Sequence, residues 1–136
     1  MKKHLLIILL FPIIFFSCQK EEIAANGDLT GRWLLVETYD GYVMGGSFTW
    51  HPVDFQHSHY LQFSASGNYE LENNYTDPSP LCTGTYQVLP DSTLAINSNC
   101  NTTTERGKIS LLTNKNLIID HQVIEGTIRQ KYRALK

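Results

Sequence analysis

The chain has 136 residues, with 11 Lys+Arg against 13 Asp+Glu and a formal net charge of -2. Hydrophobic residues make up 42% and charged residues 18%, which excludes a disordered acidic tail. The length fits one domain, and the weakly acidic balance argues against a basic face that grips nucleic acid.

Met1-Lys2-Lys3-His4 opens the chain with a cationic run, and Leu5 to Phe16 follows as an apolar stretch that includes Pro12. Twelve helical residues reach only about 18 Å, short of the roughly 30 Å hydrocarbon core, so the stretch reads as a secretory signal. The other reading is a buried first helix. An all-round apolar segment without an N-cap residue argues against it. Phe15-Phe16-Ser17-Cys18 then resembles the bacterial lipobox. That resemblance implies cleavage before Cys18, a diacylglycerol on its thiol and residence at the outer membrane. Two or more acyl chains anchor stably, whereas one binds only marginally.

Lys20-Glu21-Glu22 resembles the surface-export signal of lipoproteins in one lineage of diderm bacteria, with an ordinary charged linker as the alternative. Ile23 to Asp28 shows no periodicity and contains Ala-Ala-Asn-Gly, as expected of a tether. The expected organisation is a signal helix over 1–17, a tether over 18–27 and one domain over 28–136. Loss of 1–17 removes Lys2 and Lys3, leaving 9 Lys+Arg against 13 Asp+Glu, a net charge of -4. Anionic lipid repels such a domain, so the membrane contact is assigned to the lipid on Cys18.

Apolar residues alternate with a period of two along the remainder, and helix signals are nearly absent. Trp33, Leu35 and Tyr39 mark a first strand, and Leu61 and Phe63 a second. Tyr69, Leu71 and Tyr75 share one face of a third. The loop Ala65-Ser66-Gly67 pairs Phe63 with Tyr69 and Leu61 with Leu71. In the next hairpin, Pro90-Asp91-Ser92 is the loop, which pairs Leu89 with Thr93 and Tyr86 with Ile96. The same register sets Cys82 opposite Cys100, within disulfide reach. An oxidising compartment favours that bond, and the alternatives are two free thiols or a metal pair.

Ile109 and Leu111 mark a sixth strand, Leu117, Ile119 and Val123 a seventh, Ile128 and Tyr132 an eighth. A Thr113-Asn114-Lys115 loop sets Leu111 opposite Leu117. A Glu125-Gly126 turn sets Ile119 opposite Tyr132 and Val123 opposite Ile128. These registers predict an all-β fold: an eight-stranded antiparallel up-and-down barrel, with a two-sheet sandwich as the alternative.

Asp28-Leu29-Thr30-Gly31-Arg32-Trp33 resembles the opening turn of lipocalin-like barrels, where a Gly-x-Trp motif leads into the first strand. Leu61-Gln62-Phe63, Gly67-Asn68-Tyr69 and Gly84-Thr85-Tyr86 are similar to phrases of small bacterial lipocalin-like lipoproteins. The resemblance implies that Gly31 and Trp33 close one end of the barrel and that the interior holds a small apolar ligand. The family often pairs its Trp with an Arg of the last strand. Arg129 and Arg133 fall on the face opposite Ile128 and Tyr132, so neither is assigned that role.

The candidate ligand contacts are the inward aromatics Tyr39, Phe63, Tyr69, Tyr75, Tyr86 and Tyr132. Trp50 joins them from the long segment 40–56, read either as a lid or as a loop folded over a small core. His121 and Gln130 form a predicted interior polar pair. His51, Asp54, His57 and His59 cluster in sequence, but no further ligand has metal spacing, so no metal and no cofactor are expected. No nucleophile elbow, phosphate loop or zinc-protease motif is present, so no catalytic residue is assigned. A protein-interaction module, such as a hydrolase inhibitor with a filled barrel and an exposed aromatic loop, is the second functional reading.

Overall fold

The computed structural model describes residues 28–40, 47–74, 82–124 and 126–135. The expected signal helix, Cys18, the tether and Tyr75 lie outside the described residues. Nine strands appear in chain order: β1 Gly31–Asp40, β2 Thr49–Pro52, β3 His59–Phe63, β4 Asn68–Asn73 and β5 Cys82–Val88, then β6 Thr93–Ser98, β7 Glu105–Leu112, β8 Asn116–Val123 and β9 Gly126–Leu135. Sequential neighbours pair antiparallel from β3 to β9, and β1 pairs with both β3 and β9. The ring is therefore a closed eight-stranded up-and-down barrel rather than a sandwich. Closure leaves no long unpaired edge.

The hairpin registers follow from local turn chemistry. Phe63 pairs with Tyr69 and Leu61 with Leu71, as the Gly67 turn predicts. Tyr86 pairs with Ile96 and Val88 with Leu94. Leu89 N–H donates to the Thr93 carbonyl at 2.8 Å, and Ser92 takes the left-handed conformation (φ 67°) that closes a three-residue loop. Asp91 accepts from the Thr93 amide and hydroxyl, and those bonds hold its carboxyl below the usual range. Propagated along this register, Cys82 and Cys100 form the expected disulfide, with a Cα–Cα distance of 5.5 Å.

The first strand departs from simple alternation. Leu35 pairs with Tyr132, but Glu37 pairs with Lys131, so β1 carries a bulge at Val36. One inserted residue exchanges the faces of everything beyond it. Thr38 takes the inward position beside Gln130, and Tyr39 turns outward beside Arg129. The bulge also explains why the second stave is split into β2 and β3. The segment between them satisfies both displaced carbonyls: Val53 N–H donates to Val36 O at 2.9 Å, and the buried Ser58 hydroxyl donates to Leu35 O. Phe55–His57 forms a short 3-10 turn that brings Ser58 to that place.

Two other registers correct the sequence expectation. A bulge between Ile109 and Leu111 pairs Leu112, not Leu111, with Leu117, and Leu112 is the buried one. The β8–β9 hairpin closes at Val123 and Gly126, so Ile119 faces Gln130, Leu117 faces Tyr132 and His121 faces Ile128. Gly126 is a strand residue rather than a turn residue, and Phe48 packs over it: a Cβ there would lie 3.1 Å from the ring. The slip is two residues, so each side chain keeps its predicted face.

Replacing both Cys82 and Cys100 by Ala should lower unfolding stability by about 3 kcal/mol in urea titration, the effect of opening a loop of this size. A wild-type midpoint in that double variant would show the bond to be incidental. Ser58→Ala strands the Leu35 carbonyl and should cost about 1–3 kcal/mol by the same titration.

Candidate functional site

The two ends of the barrel differ. Trp33, 2% exposed, fills one end with Leu29, Phe63, Leu112 and Leu117. Its indole N–H donates to Leu29 O at 2.8 Å, which holds the ring across the opening. Gly31 stands at the start of the same strand, paired with Phe63. Tyr86 packs edge-on to Phe63 with centroids 4.8 Å apart, and its hydroxyl donates to Ser64 O at 2.9 Å.

The other half of the barrel is hollow. A cavity of about 380 Å³ lies between the walls, apolar over Leu61, Leu71, Leu94, Ile96, Ile119 and Ile128. Gly107 makes room for it. A Cβ there would lie 2.5 Å from Ile119 Cγ2 and 3.1 Å from His121 Cε1, so a larger residue would push both inward. At the rim stands Glu105, which shares an inward face with Gly107 because it pairs with Ile96. Arg106 pairs with Ala95, alternate to Glu105 and Gly107, and it too borders the cavity.

One polar chain crosses the apolar wall. Tyr132, 1% exposed, donates its hydroxyl hydrogen to Gln130 Oε1 at 2.8 Å. His59 Nε2 lies 3.1 Å from the Tyr132 oxygen and His121 Nε2 lies 3.0 Å from Gln130 Oε1. A carboxamide oxygen only accepts, so His121 donates to it, and His59 donates to the tyrosine. Burial holds the His59 pKa down to about 4, so His59 is neutral at neutral pH. The Tyr132 hydroxyl is pushed up by burial and by the negative charges that Tyr69 and Glu105 present when ionised. Burial, then Glu105, raises Tyr69 in the same way.

Of the residues singled out in the sequence, Tyr69, Tyr132, His121 and Gln130 line this cavity. Phe63 and Tyr86 belong to the packed end instead. Tyr39 and Trp50 do not face inward. The bulge sets both on the outer face, where their rings lie 5.3 Å apart. Phe48 joins at 5.8 Å from Tyr39, the Arg129 guanidinium lies 5.5 Å from the Tyr39 ring and Lys131 Nζ 6.0 Å from Trp50. Arg133 is exposed and Arg129 ion-pairs with Asp120 at 3.5 Å, so neither reaches Trp33. His51 and His57 lie beside Asp40 and Asp54, each at 3.6 Å, away from His59. Among the described residues no group of three or more His, Cys, Asp or Glu converges.

Glu105 is a site residue that sequence reasoning missed, and His59 figures there only as a candidate metal ligand. The alternation Glu105-x-Gly107-x-Ile109 carried the signal for Glu105. Nothing local placed His59 against Tyr132, 73 positions away. Compared with known proteins, the chain matches no family model. No curated protein is significantly similar to it.

His59 supplies a pH dependence with a definite sign. Its folded pKa is depressed to about 4 from 6.5, so the unfolded chain binds the proton first. Stability should be constant above pH 6.5 and decline as pH falls from 6.5 to about 4. Urea titrations across that window should show a shallower decline in His59→Gln. An identical slope in the variant would assign the loss to other groups.

Proposed function

We propose that this protein is a lipid-anchored, lipocalin-like carrier or sensor that holds a small apolar ligand in its barrel. The observation that carries the reading is the hollow half-barrel with apolar walls and one fixed polar chain. Its volume falls at the small end of the roughly 300–1,000 Å³ usual for ligand sites. The lipobox at Cys18 supports anchoring by acyl chains at the outer membrane, and Lys20-Glu21-Glu22 supports an outward orientation. β1 starts from the packed end, so the described chain enters the barrel at the end away from the cavity.

A second reading draws support from the outer face. Trp50 is 39% exposed between Tyr39 and Lys131. Aromatic residues beside cations are frequent anchors of protein interfaces. That reading needs no cavity, and a ligand does not contradict it.

Displacement of a fluorescent fatty probe from the delipidated full chain tests the carrier, with native mass spectrometry as the second readout. Leu71→Trp places an indole into the cavity from β4 and should weaken displacement about tenfold or more with far-UV circular dichroism unchanged. If the wild-type chain retains no ligand by either method, the carrier reading fails and the interface reading stands.

A further inference from the structure

The charges and hydrogen-bond capacity of the cavity wall say which ligand it takes. We infer that the cavity selects an uncharged amphiphile, an apolar body bearing a hydroxyl or amide, and rejects carboxylates and other anions. This rests on the carrier reading and narrows it.

The positions of the wall that face inward by register offer a hydrogen-bond donor without a lysine or arginine. Gln130 Oε1 is already taken by Tyr132 and His121, so the carboxamide hydrogens remain for a ligand oxygen. Tyr69, 3% exposed, adds a phenol that faces the same space. Of the cations near the site, Arg106 borders the cavity beside Glu105, whereas Arg129 and Lys131 do not line it. Arg106 stands at the register position of Ala95, alternate to the inward Glu105 and Gly107, Arg129 is held by Asp120, and Lys131 is held by Glu37.

Glu105 works in the opposite direction. It is the charged side chain on the inward face of the described cavity wall, at the rim that a ligand passes. Its influence reaches both interior tyrosines, whose ionised forms it disfavours. A ligand carboxylate meets the same repulsion and loses its water without a cation at an inward-facing position, a costly way to bury a charged group. A hydroxyl gives up less hydration and finds Gln130. The volume of about 380 Å³ holds on the order of a dozen non-hydrogen atoms at roughly 30 Å³ each. A ten-carbon chain with one oxygen is that size.

The test compares n-decanol, decanoate and n-decane on the full chain at about pH 8, above the ordinary imidazole range. Methyl NMR shifts of Ile119 and Ile128 report occupancy of the cavity itself. The expected result is n-decanol binding at least about tenfold tighter than decanoate and measurably tighter than n-decane. Glu105→Gln should narrow the gap between alcohol and carboxylate by about threefold or more, and Gln130→Leu should bring the alcohol toward the alkane. Decanoate equal to or tighter than n-decanol overturns the inference and leaves the carrier reading intact. So does n-decane equal to n-decanol. A gap unchanged by Glu105→Gln overturns the role given to that carboxylate. Failure of all three probes to shift either methyl overturns the carrier reading with it.

Discussion

The rest of the structure depends on how β1 closes against β9. A barrel closes only if its first strand pairs on both sides at once. Here the near half of β1 pairs with β3 and the far half with β2, while β9 runs along nearly its whole length. The bulge at Val36 lets one strand satisfy these partners. Its cost is two displaced carbonyls in a buried place, where an unmet acceptor loses about 1–3 kcal/mol. Val53 and Ser58 meet both. The break between β2 and β3, the short 3-10 turn and the burial of a lone serine are thus one structural device.

That device also decides what the interior is made of. With unbroken alternation, Glu37 would stand beside Gln130 and Tyr39 beside Ile128, and the Tyr39 ring would occupy space near the rim. The bulge removes the ring to the outside, where Trp50, Phe48 and Arg129 surround it. Gly107 then keeps the opposite wall open. The barrel is packed at one end and hollow at the other, so the two ends need different support. Trp33 and its neighbours hold the packed end through burial. At the other end the Cys82–Cys100 bond ties the start of β5 to the turn that follows β6. A domain of this size has few apolar residues to spare, and the cavity uses some of the area that would otherwise pack.

The polar chain in the hollow is stable because each of its bonds runs one way into an acceptor. His59 gives to Tyr132, Tyr132 gives to Gln130, and His121 gives to the same oxygen. Each strand contributes a side chain held by its backbone, so the geometry is set before any ligand arrives. Surface charges follow a different rule. Arg32–Glu72 lies largely in solvent, where such a pair contributes about 0–1 kcal/mol, and in Arg129–Asp120 only the arginine is exposed. They order the outer face more than they stabilise the fold.

The sequence by itself determined the class of fold, the strand count of the ring and the hairpins whose turns carry their own chemistry. Phe63 with Tyr69, Tyr86 with Ile96 and Cys82 with Cys100 are local consequences of Gly67 and of Pro90-Asp91-Ser92. It also identified Tyr69, Tyr132, His121 and Gln130 as inward residues, because a period of two survives a register slip of two. Bulges have no such signature. Whether β1 shifts by one residue at Val36 depends on β9, a hundred residues later, and on Ser58 reaching back to Leu35. The outward turn of Tyr39 and Trp50, the exchange of Leu111 for Leu112, and the meeting of His59 with Tyr132 were therefore decided only by the tertiary structure. A face is set by counting along one strand, whereas a bulge is set by what the neighbouring strands can satisfy.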